Sequence, residues 1–284
     1  FASEIKQFTV LPGWEAKLNG QRAYDFLRWS MLDHTQETLF KDVFQLRGGY
    51  FIEFDFSDIE KIISSNSLKV TKWYDLPQIP FKGTLKDASK IFKELFEDSI
   101  KLRLRSDVSI GSCLSGGLDS SSIVCMSNKI LNENKNTNIQ KTFSAYSHEK
   151  KFDEREFVEE AIKDKNIEAY KVFPEVDDLF KIIDKLTWIQ DEPFGSTSIF
   201  AQWSVFKLAA DNNIKVMLDG QGADEQLAGY FNFFSPLLTS LFKGANLVRL
   251  TKEFYSIRNI HSFSYKSFIK LLEYNAIPET IVKH

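Results

Sequence analysis

Two adjacent glycines and several hydroxyl side chains stand between two apolar runs in the stretch VSIGSCLSGGLDSSSIVCM. Gly116 and Gly117 allow the backbone to turn and to approach a ligand closely. Ser115, Ser120 and Ser121 supply hydroxyl donors, and the first amides of a helix that begins at the last two serines add the positive end of its dipole. This combination is typical of a loop that binds pyrophosphate, whereas a Ser/Gly run in isolation would indicate a flexible turn.

The aspartate that follows the glycines indicates a divalent cation. Asp119 alone would repel phosphate, but it fits if it binds Mg²⁺, whose charge reverses the sign of the local field. A Walker A loop is excluded because Gly117 is followed by Leu118 rather than lysine. Gly111 stands too far before Ser115 for a nucleophile elbow, and the fingerprint Gly-x-Gly-x-x-Gly is absent. Without a lysine, the loop is expected to hold a leaving pyrophosphate rather than to activate a γ-phosphate.

A second candidate loop, DGQGADE, begins at Asp219, about a hundred residues after the first. Gly220 and Gly222 permit close approach to a ligand. Asp224 and Glu225 bring two carboxylates toward the same magnesium and phosphates. The alternative is an ordinary glycine turn in which Asp224 caps the next helix.

Both loops follow apolar stretches in a region where strand and helix patterns alternate. Strands are predicted at 108–114, 141–147, 169–173 and 214–218. Helices are predicted at 120–131, 153–165, 176–189 and 197–210, after an amphipathic helix that starts at Leu85. This alternation implies right-handed crossovers, so we predict an α/β fold, a parallel sheet with helices on both faces. Because ligands bind at the carboxyl ends of parallel strands, both loops are expected at the same edge of the sheet.

The first part of the chain has a different pattern. Short apolar runs broken by turn residues, as in VFQLRGGYFIEFDF, predict a β-rich unit over residues 1–75. Two prolines and a glycine in DLPQIPFKGT indicate a linker at 76–84, followed by the α/β unit over 85–284. Because the chain starts with Phe1 rather than methionine and ends without an obvious stop, we expect it to be a fragment.

Composition narrows the choice of partners and location. The net charge is −3, from 36 Lys/Arg and 39 Asp/Glu, so no global field draws the chain to nucleic acid or to an anionic membrane. No signal peptide or membrane-spanning run is present, which predicts a cytoplasmic protein without membrane contact. Cys113 and Cys125 are interpreted as buried thiols, and the four scattered histidines do not indicate a metal site. A homodimer is left open.

The last fifty or so residues mix aromatic and basic side chains. In 231–284, seven Lys/Arg stand against three Glu, a pattern that could bind single-stranded nucleic acid. The periodicity around Phe263 and Phe268 favours amphipathic core helices over a nucleic-acid-binding surface. We therefore expect no nucleic-acid partner.

Two long motifs resemble those of one known family. SDVSIGSCLSGGLDSSSI and KVMLDGQGADEQLAGY resemble the ATP pyrophosphatase signature and, more closely, the synthetase half of glutamine-dependent asparagine synthetases. FASEIK at the start is similar to the end of that family's glutaminase domain. The resemblance implies an adenine nucleotide alpha hydrolase-like fold for 85–284. It also implies that 1–75 is the carboxyl-terminal remnant of a glutamine amidotransferase type 2 domain.

The resemblance also implies an activity and a set of site residues. In that family, ATP activates the side-chain carboxylate of aspartate as an acyl adenylate, pyrophosphate leaves, and ammonia made from glutamine attacks the adenylate. By position, the nucleotide would contact Leu114, Ala145, Asp219 and Gly220. The pyrophosphate would contact Ser115, Gly116, Gly117, Asp119, Ser120 and Ser121. Mg²⁺ would be bound by Asp119 and Asp224.

The chain departs from the family at the second loop. The family's Ser-Gly-Glu-Gly is here Asp219-Gly220-Gln221-Gly222. Gln221 cannot act as a charged base and would orient groups by hydrogen bonds, while Asp219 contributes a new carboxylate. These two residues are the candidate catalytic residues.

This departure leaves other functions open. One is a related amide ligase of the β-lactam synthetase or peptide cyclase type that acts on another carboxylate. Another is an inactive nucleotide-binding module. The family's glutaminase cysteine and its carboxyl-terminal lysine are expected outside this chain.

Overall fold

The structure, a computed structural model, describes residues 1–65, 68–77, 79–133 and 139–261. Helices α1 to α10 are Gly20–Trp29, Ile59–Ser65, Leu85–Arg103, Leu118–Glu133, Arg155–Ile162, Val176–Gln190, Ser198–Asp211, Ala223–Leu227, Phe234–Lys243 and Leu247–His261. Strands β1 to β6 are Tyr50–Ile52, Val70–Lys72, Ile110–Cys113, Gln140–Ala145, Ile167–Val172 and Val216–Leu218. The amphipathic helices predicted around Phe263 and Phe268 lie outside the described residues.

The main sheet has four parallel strands in the order β5-β4-β3-β6. From β3 the chain moves outward to β4 and β5, and then it returns to place β6 on the other side of β3. In the register, Ser112 of β3 pairs with Thr142 on one side and with Leu218 on the other. The strand order therefore reverses between β3 and β6, the position at which open α/β sheets bind their ligands.

Helices cover both faces of this sheet, as predicted. On one face, Leu114 at the end of β3 packs in a buried cluster with Val124 of α4. On the other face, Cys113 packs against a cluster that joins Phe143 of β4 to Val205 of α7. Adjacent residues of a strand point to opposite faces, so these two clusters are the two hydrophobic layers that hold the sheet. The predicted α/β class is confirmed.

The β-rich region predicted for residues 1–75 is found in small part and needs correction. β1 and β2 form one antiparallel pair of three residues each, whereas α1 alone has ten residues. The Asn19 side chain accepts the Arg22 N–H and caps α1, which has one apolar face. The short apolar runs there were too brief to distinguish a strand from an amphipathic helix.

The predicted helix starting at Leu85 begins with a capping box. The Thr84 hydroxyl accepts the Asp87 N–H, and the Asp87 carboxylate accepts the Thr84 N–H. α4 starts at Leu118, two residues before the predicted start. Within the described residues, no helix combines the length and the apolar character needed to cross a membrane.

Candidate functional site

A cleft of about 290 Å³ opens at the carboxyl ends of β3, β4 and β6, where the strand order reverses. The two loops predicted from sequence and the amino-terminal half of α7 form its walls. Ten predicted site residues line it, namely Leu114, Ser115, Gly117, Asp119, Ser120, Ala145, Asp219, Gly220, Gln221 and Asp224. Both loops therefore lie at one place, as their positions after strands predicted.

The first loop is held closed by hydrogen bonds among its own residues. The Ser115 N–H donates to the Ser120 Oγ at 3.2 Å, and the two hydroxyls lie 3.0 Å apart. The Gly117 N–H donates to the Ser115 Oγ at 3.3 Å. The first hydrogen bond of α4 runs from the Ser121 N–H to the Gly117 carbonyl at 3.0 Å. The amides before Ser121 precede that bond, so they stand at the positive end of the α4 dipole.

Gly116 lies on the side of the loop that faces away from the cleft. Its φ is +90°, a conformation that other residues rarely adopt, and a Cβ there would lie 2.9 Å from the Phe157 Cβ and 3.1 Å from the Glu154 carbonyl oxygen. Gly116 thus packs against the start of α5 rather than lining the cleft. Ser121 also lies outside the lining, and its buried Oγ has no hydrogen-bond partner among the described residues.

The two loops touch each other at Gly220. A Cβ added there would lie 3.1 Å from both the Asp119 Cβ and the Ser120 nitrogen. Glycine at this position therefore lets the second loop pack directly on the first. Gly222, with φ of +93°, then turns the chain into α8, whose first turn carries Asp224.

The Asp219 carboxylate is held between the second loop and α7. Its Oδ1 accepts the Gln221 N–H at 3.2 Å, and its Oδ2 accepts an N–H of the Gln202 side chain at 3.3 Å. Cys113, at the end of β3, lines the cleft beside it. Burial, and to a smaller extent the Asp219 charge, raises the pKa of the Cys113 thiol well above its ordinary range. Cys113 and Cys125 are both free thiols that are only partly buried, so the prediction of buried thiols holds in part.

Five lining residues were missed from sequence, namely Cys113, Phe143, Ala201, Gln202 and Val205. Three of them share one face of α7, at positions i, i+1 and i+4. A glutamine on an otherwise apolar helix face was the available signal for Gln202. Ser196 and Ser198, next to the start of α7, are exposed and hydrogen-bonded to each other at 2.9 Å, outside the lining.

The carboxylates of the cleft fit a magnesium ion that is bound partly by the protein and partly by its substrate. Asp119 and Asp224 both line the cleft, and carboxylate oxygens are ligands that Mg²⁺ prefers. In the described part of the chain, no group of three or more His, Cys, Asp or Glu residues is placed to hold a metal ion. Two carboxylates suit an ion that takes its other ligands from substrate phosphates and water.

The fold and the cleft define an α/β protein with a polar site at the switch point of a parallel sheet. The family described as Asparagine synthase matches residues 92–272, more than half of the chain. The chain therefore belongs to the asparagine synthase family.

Individual relatives agree with this assignment. The chain is 31% identical over 196 residues to "Putative asparagine synthetase [glutamine-hydrolyzing] 2" of Methanocaldococcus jannaschii, covering 68% of this chain and 35% of that protein. It is 30% identical over 166 residues to "Asparagine synthetase [glutamine-hydrolyzing] 1" of Bacillus subtilis, covering 57% and 25%. The chain thus spans about a third or less of the length of these relatives.

Among solved structures, the chain resembles an NH3-dependent NAD synthetase from Campylobacter jejuni in complex with the nitrate ion. The TM-score is 0.32 at 15% identity, covering 68% of this chain and 96% of that one.

Proposed function

We propose that this chain is the ATP-dependent part of an asparagine synthetase, which amidates aspartate with ammonia from glutamine and forms AMP and pyrophosphate. The observation that carries the proposal is the contact between the two loops at Gly220. It brings Asp119 and Ser120 of one loop to Asp219 of the other in a single cleft. Family membership supports the same reaction class.

The first loop is proposed to hold the pyrophosphate that leaves. Ser115, Gly117 and Ser120 present hydroxyl and amide groups that now bond to each other, and these donors can turn to phosphate oxygens at little cost. The proposed contacts are Ser115, Gly116, Gly117, Asp119, Ser120 and Ser121 for pyrophosphate, and Leu114, Ala145, Asp219 and Gly220 for the rest of ATP. Asp119 and Asp224 would hold Mg²⁺, which when bound neutralises charge on the leaving phosphates.

Asp219 and Gln221 are the proposed catalytic residues of the second loop. Gln221 is exposed at the cleft, so its amide is free to orient the acceptor carboxylate. Asp219 carries the negative charge that the family places two residues later, and its position is set by two N–H donors. The motif thus keeps one carboxylate, which lies at position 219 instead of position 221.

The domain division is part of the same proposal. Residues 1–75 would be the end of a glutamine amidotransferase type 2 domain, 76–84 a linker, and 85–284 the synthetase domain. The substrates would be ATP, aspartate and ammonia from glutamine, in the cytoplasm, with neither nucleic acid nor membrane as a partner.

The test is exchange of labelled pyrophosphate into ATP, catalysed by the full-length protein with Mg²⁺. Exchange that requires aspartate is the expected result, because it reports reversible formation of the acyl adenylate. Exchange with another carboxylic acid instead would favour the second candidate, a related amide ligase, which the change from glutamate to Gln221 makes reasonable. ATP binding without exchange for any acid would indicate an inactive nucleotide-binding module.

A further inference from the structure

Gln202 is a polar side chain on the apolar wall of the cleft. It stands on α7 next to Ala201 and three residues before Val205, and all three line the cleft. Its side-chain N–H donates to the Asp219 Oδ2 at 3.3 Å. Neither the sequence motifs nor the family resemblance assigns a role to this glutamine.

The contact leaves Asp219 fixed on two sides. The Gln221 N–H binds its Oδ1 from the loop, and Gln202 binds its Oδ2 from α7. The bond from Gln221 comes from the same loop as Asp219. It therefore cannot by itself set the position of the carboxylate relative to α7. Gln202 supplies that constraint from α7, and the Cys113 thiol of β3 is a further neighbour of the same carboxylate.

Asp219 also has two chemically different neighbours in the cleft. The next residue, Gly220, packs on the serine-glycine loop, which is proposed to hold phosphates. Gln202, its other neighbour, lies on α7 with Ala201 and Val205, and Val205 packs in one cluster with Phe143; this apolar part of the lining suits a nucleobase. The group that joins phosphate and base in a nucleotide is the ribose. Its 2′ and 3′ hydroxyls are donors, and a carboxylate only accepts hydrogen bonds.

We propose that Asp219 recognises the ribose hydroxyls of the nucleotide and that Gln202 is the positioning residue that holds the Asp219 carboxylate for this contact. The inference rests on the proposed ATP site and adds a determinant of nucleotide specificity to it. Gln202 acts through Asp219 and does not touch the reacting atoms.

The experiment compares equilibrium binding of ATP, 2′-deoxyATP and 3′-deoxyATP with Mg²⁺, using full-length protein without any acceptor acid. The unmodified protein is expected to bind ATP about tenfold more tightly than at least one deoxy analogue, because one hydrogen bond to a charged acceptor is lost. Gln202→Met keeps the length of the side chain but cannot donate, and it should reduce this ratio to about threefold or less.

Three further variants make the result specific. Asp219→Asn should abolish the discrimination, and the double variant should lose no more than Asp219→Asn alone, since both act through one contact. Gln21→Met is the matched control, because the Gln21 side chain also donates to an aspartate, Asp25, on the distant helix α1. That control should leave the ratio unchanged. If Asp219→Asn fails to fold, Asp219→Ala, which removes the acceptor altogether, takes its place.

The outcomes separate this inference from the proposed function. Equal binding of ATP and both deoxy analogues by the unmodified protein would overturn the ribose contact, even if aspartate-dependent exchange is observed. An undiminished ratio in Gln202→Met would overturn the positioning role. A full ratio without exchange for aspartate would support the inference while the proposed reaction fails. If ATP does not bind, both are overturned.

Discussion

Two aspartates in this molecule are held by pairs of N–H groups, yet their surroundings differ. Asp191, after α6, accepts the Ile5 N–H at 2.7 Å and the Lys6 N–H at 3.1 Å, and it forms an ion pair with the Lys6 ammonium at 2.9 Å. Asp219 accepts its two bonds at 3.2 and 3.3 Å from neutral groups. The first aspartate is neutralised by a cation of its own chain, whereas the second keeps its charge available at a cleft.

The difference separates a structural acid from a functional one. Asp191 and the adjacent Glu192 lie between α6 and α7 and bind the amino-terminal part of the chain. Asp191 does so through Ile5 and Lys6, and the Glu192 Oε1 accepts the Leu39 N–H at 2.7 Å. We name Asp191 and Glu192, with their partners Ile5, Lys6 and Leu39, the acid junction. At the cleft, Asp119, Asp219 and Asp224 line open space instead. A charge that is used for stability is paired, and a charge that awaits a ligand is positioned but left accessible.

The largest expected effect comes from removing a cleft charge. Asp119→Asn should lower the rate of aspartate-dependent pyrophosphate exchange by at least about 100-fold, because a carboxylate that holds a metal at leaving phosphates stabilises the transition state. Exchange kinetics of the full-length protein measure this, and thermal unfolding should change little. The matched control is Asp177→Asn, which removes an exposed acid from the first turn of α6. A rate within tenfold of the unmodified protein would contradict the role given to Asp119.

At the acid junction, the same kind of change should affect folding instead. Asp191→Ala leaves two backbone N–H groups without their acceptor and should lower the free energy of unfolding by about 1 to 3 kcal/mol. Asp211→Ala, which breaks an exposed pair with Lys207 on α7, should cost less than about 1 kcal/mol. Urea unfolding of both variants tests the contrast. Equal losses would show that the junction is no more than a surface contact.

The contact between the loops gives a third, smaller effect. Gly220→Ala introduces a Cβ 3.1 Å from the Ser120 nitrogen, so the loops must separate by a few tenths of an ångström. We expect the rate of exchange to fall about tenfold, since small misplacements of catalytic groups are costly. Gly48→Ala is the control, because a Cβ there meets no atom within 4 Å. If both variants keep the full rate, the close packing of the loops is not needed for the reaction.

This comparison also shows what could be read from sequence. The apolar strands and the glycine loops of the cleft were predicted because each is a local pattern of consecutive residues. Gln202 was missed because its partner, Asp219, lies on another element, and the acid junction joins residues 153 to 186 positions apart. The order of strands in the sheet likewise depends on long-range packing, which a spacing of motifs cannot encode. Short runs in the first segment fit strand and helix equally, so tertiary context decided them.

The smallest effect concerns the pH dependence of the acid junction. Burial raises the pKa of the Glu192 carboxyl above its ordinary value of 4.5, and the Leu39 N–H offsets part of this shift. The folded protein therefore binds this proton more readily than the unfolded chain. The contribution of Glu192 to stability is fully present below its ordinary pKa and is lost as the pH rises through the raised value.

Glu192→Gln keeps an oxygen acceptor for the Leu39 N–H and removes the charge. Relative to the unmodified protein, this variant should gain stability between pH 4 and pH 7, by less than about 1 kcal/mol because the carboxyl is half exposed. Urea unfolding at several pH values measures the difference. Asp191→Asn is the contrasting variant, because it loses the ion pair with Lys6 and should be less stable than the unmodified protein at pH 7. A Glu192→Gln curve parallel to that of the unmodified protein would show that the burial of Glu192 does not shift its titration, and Glu192 would then act only as an acceptor for the Leu39 N–H.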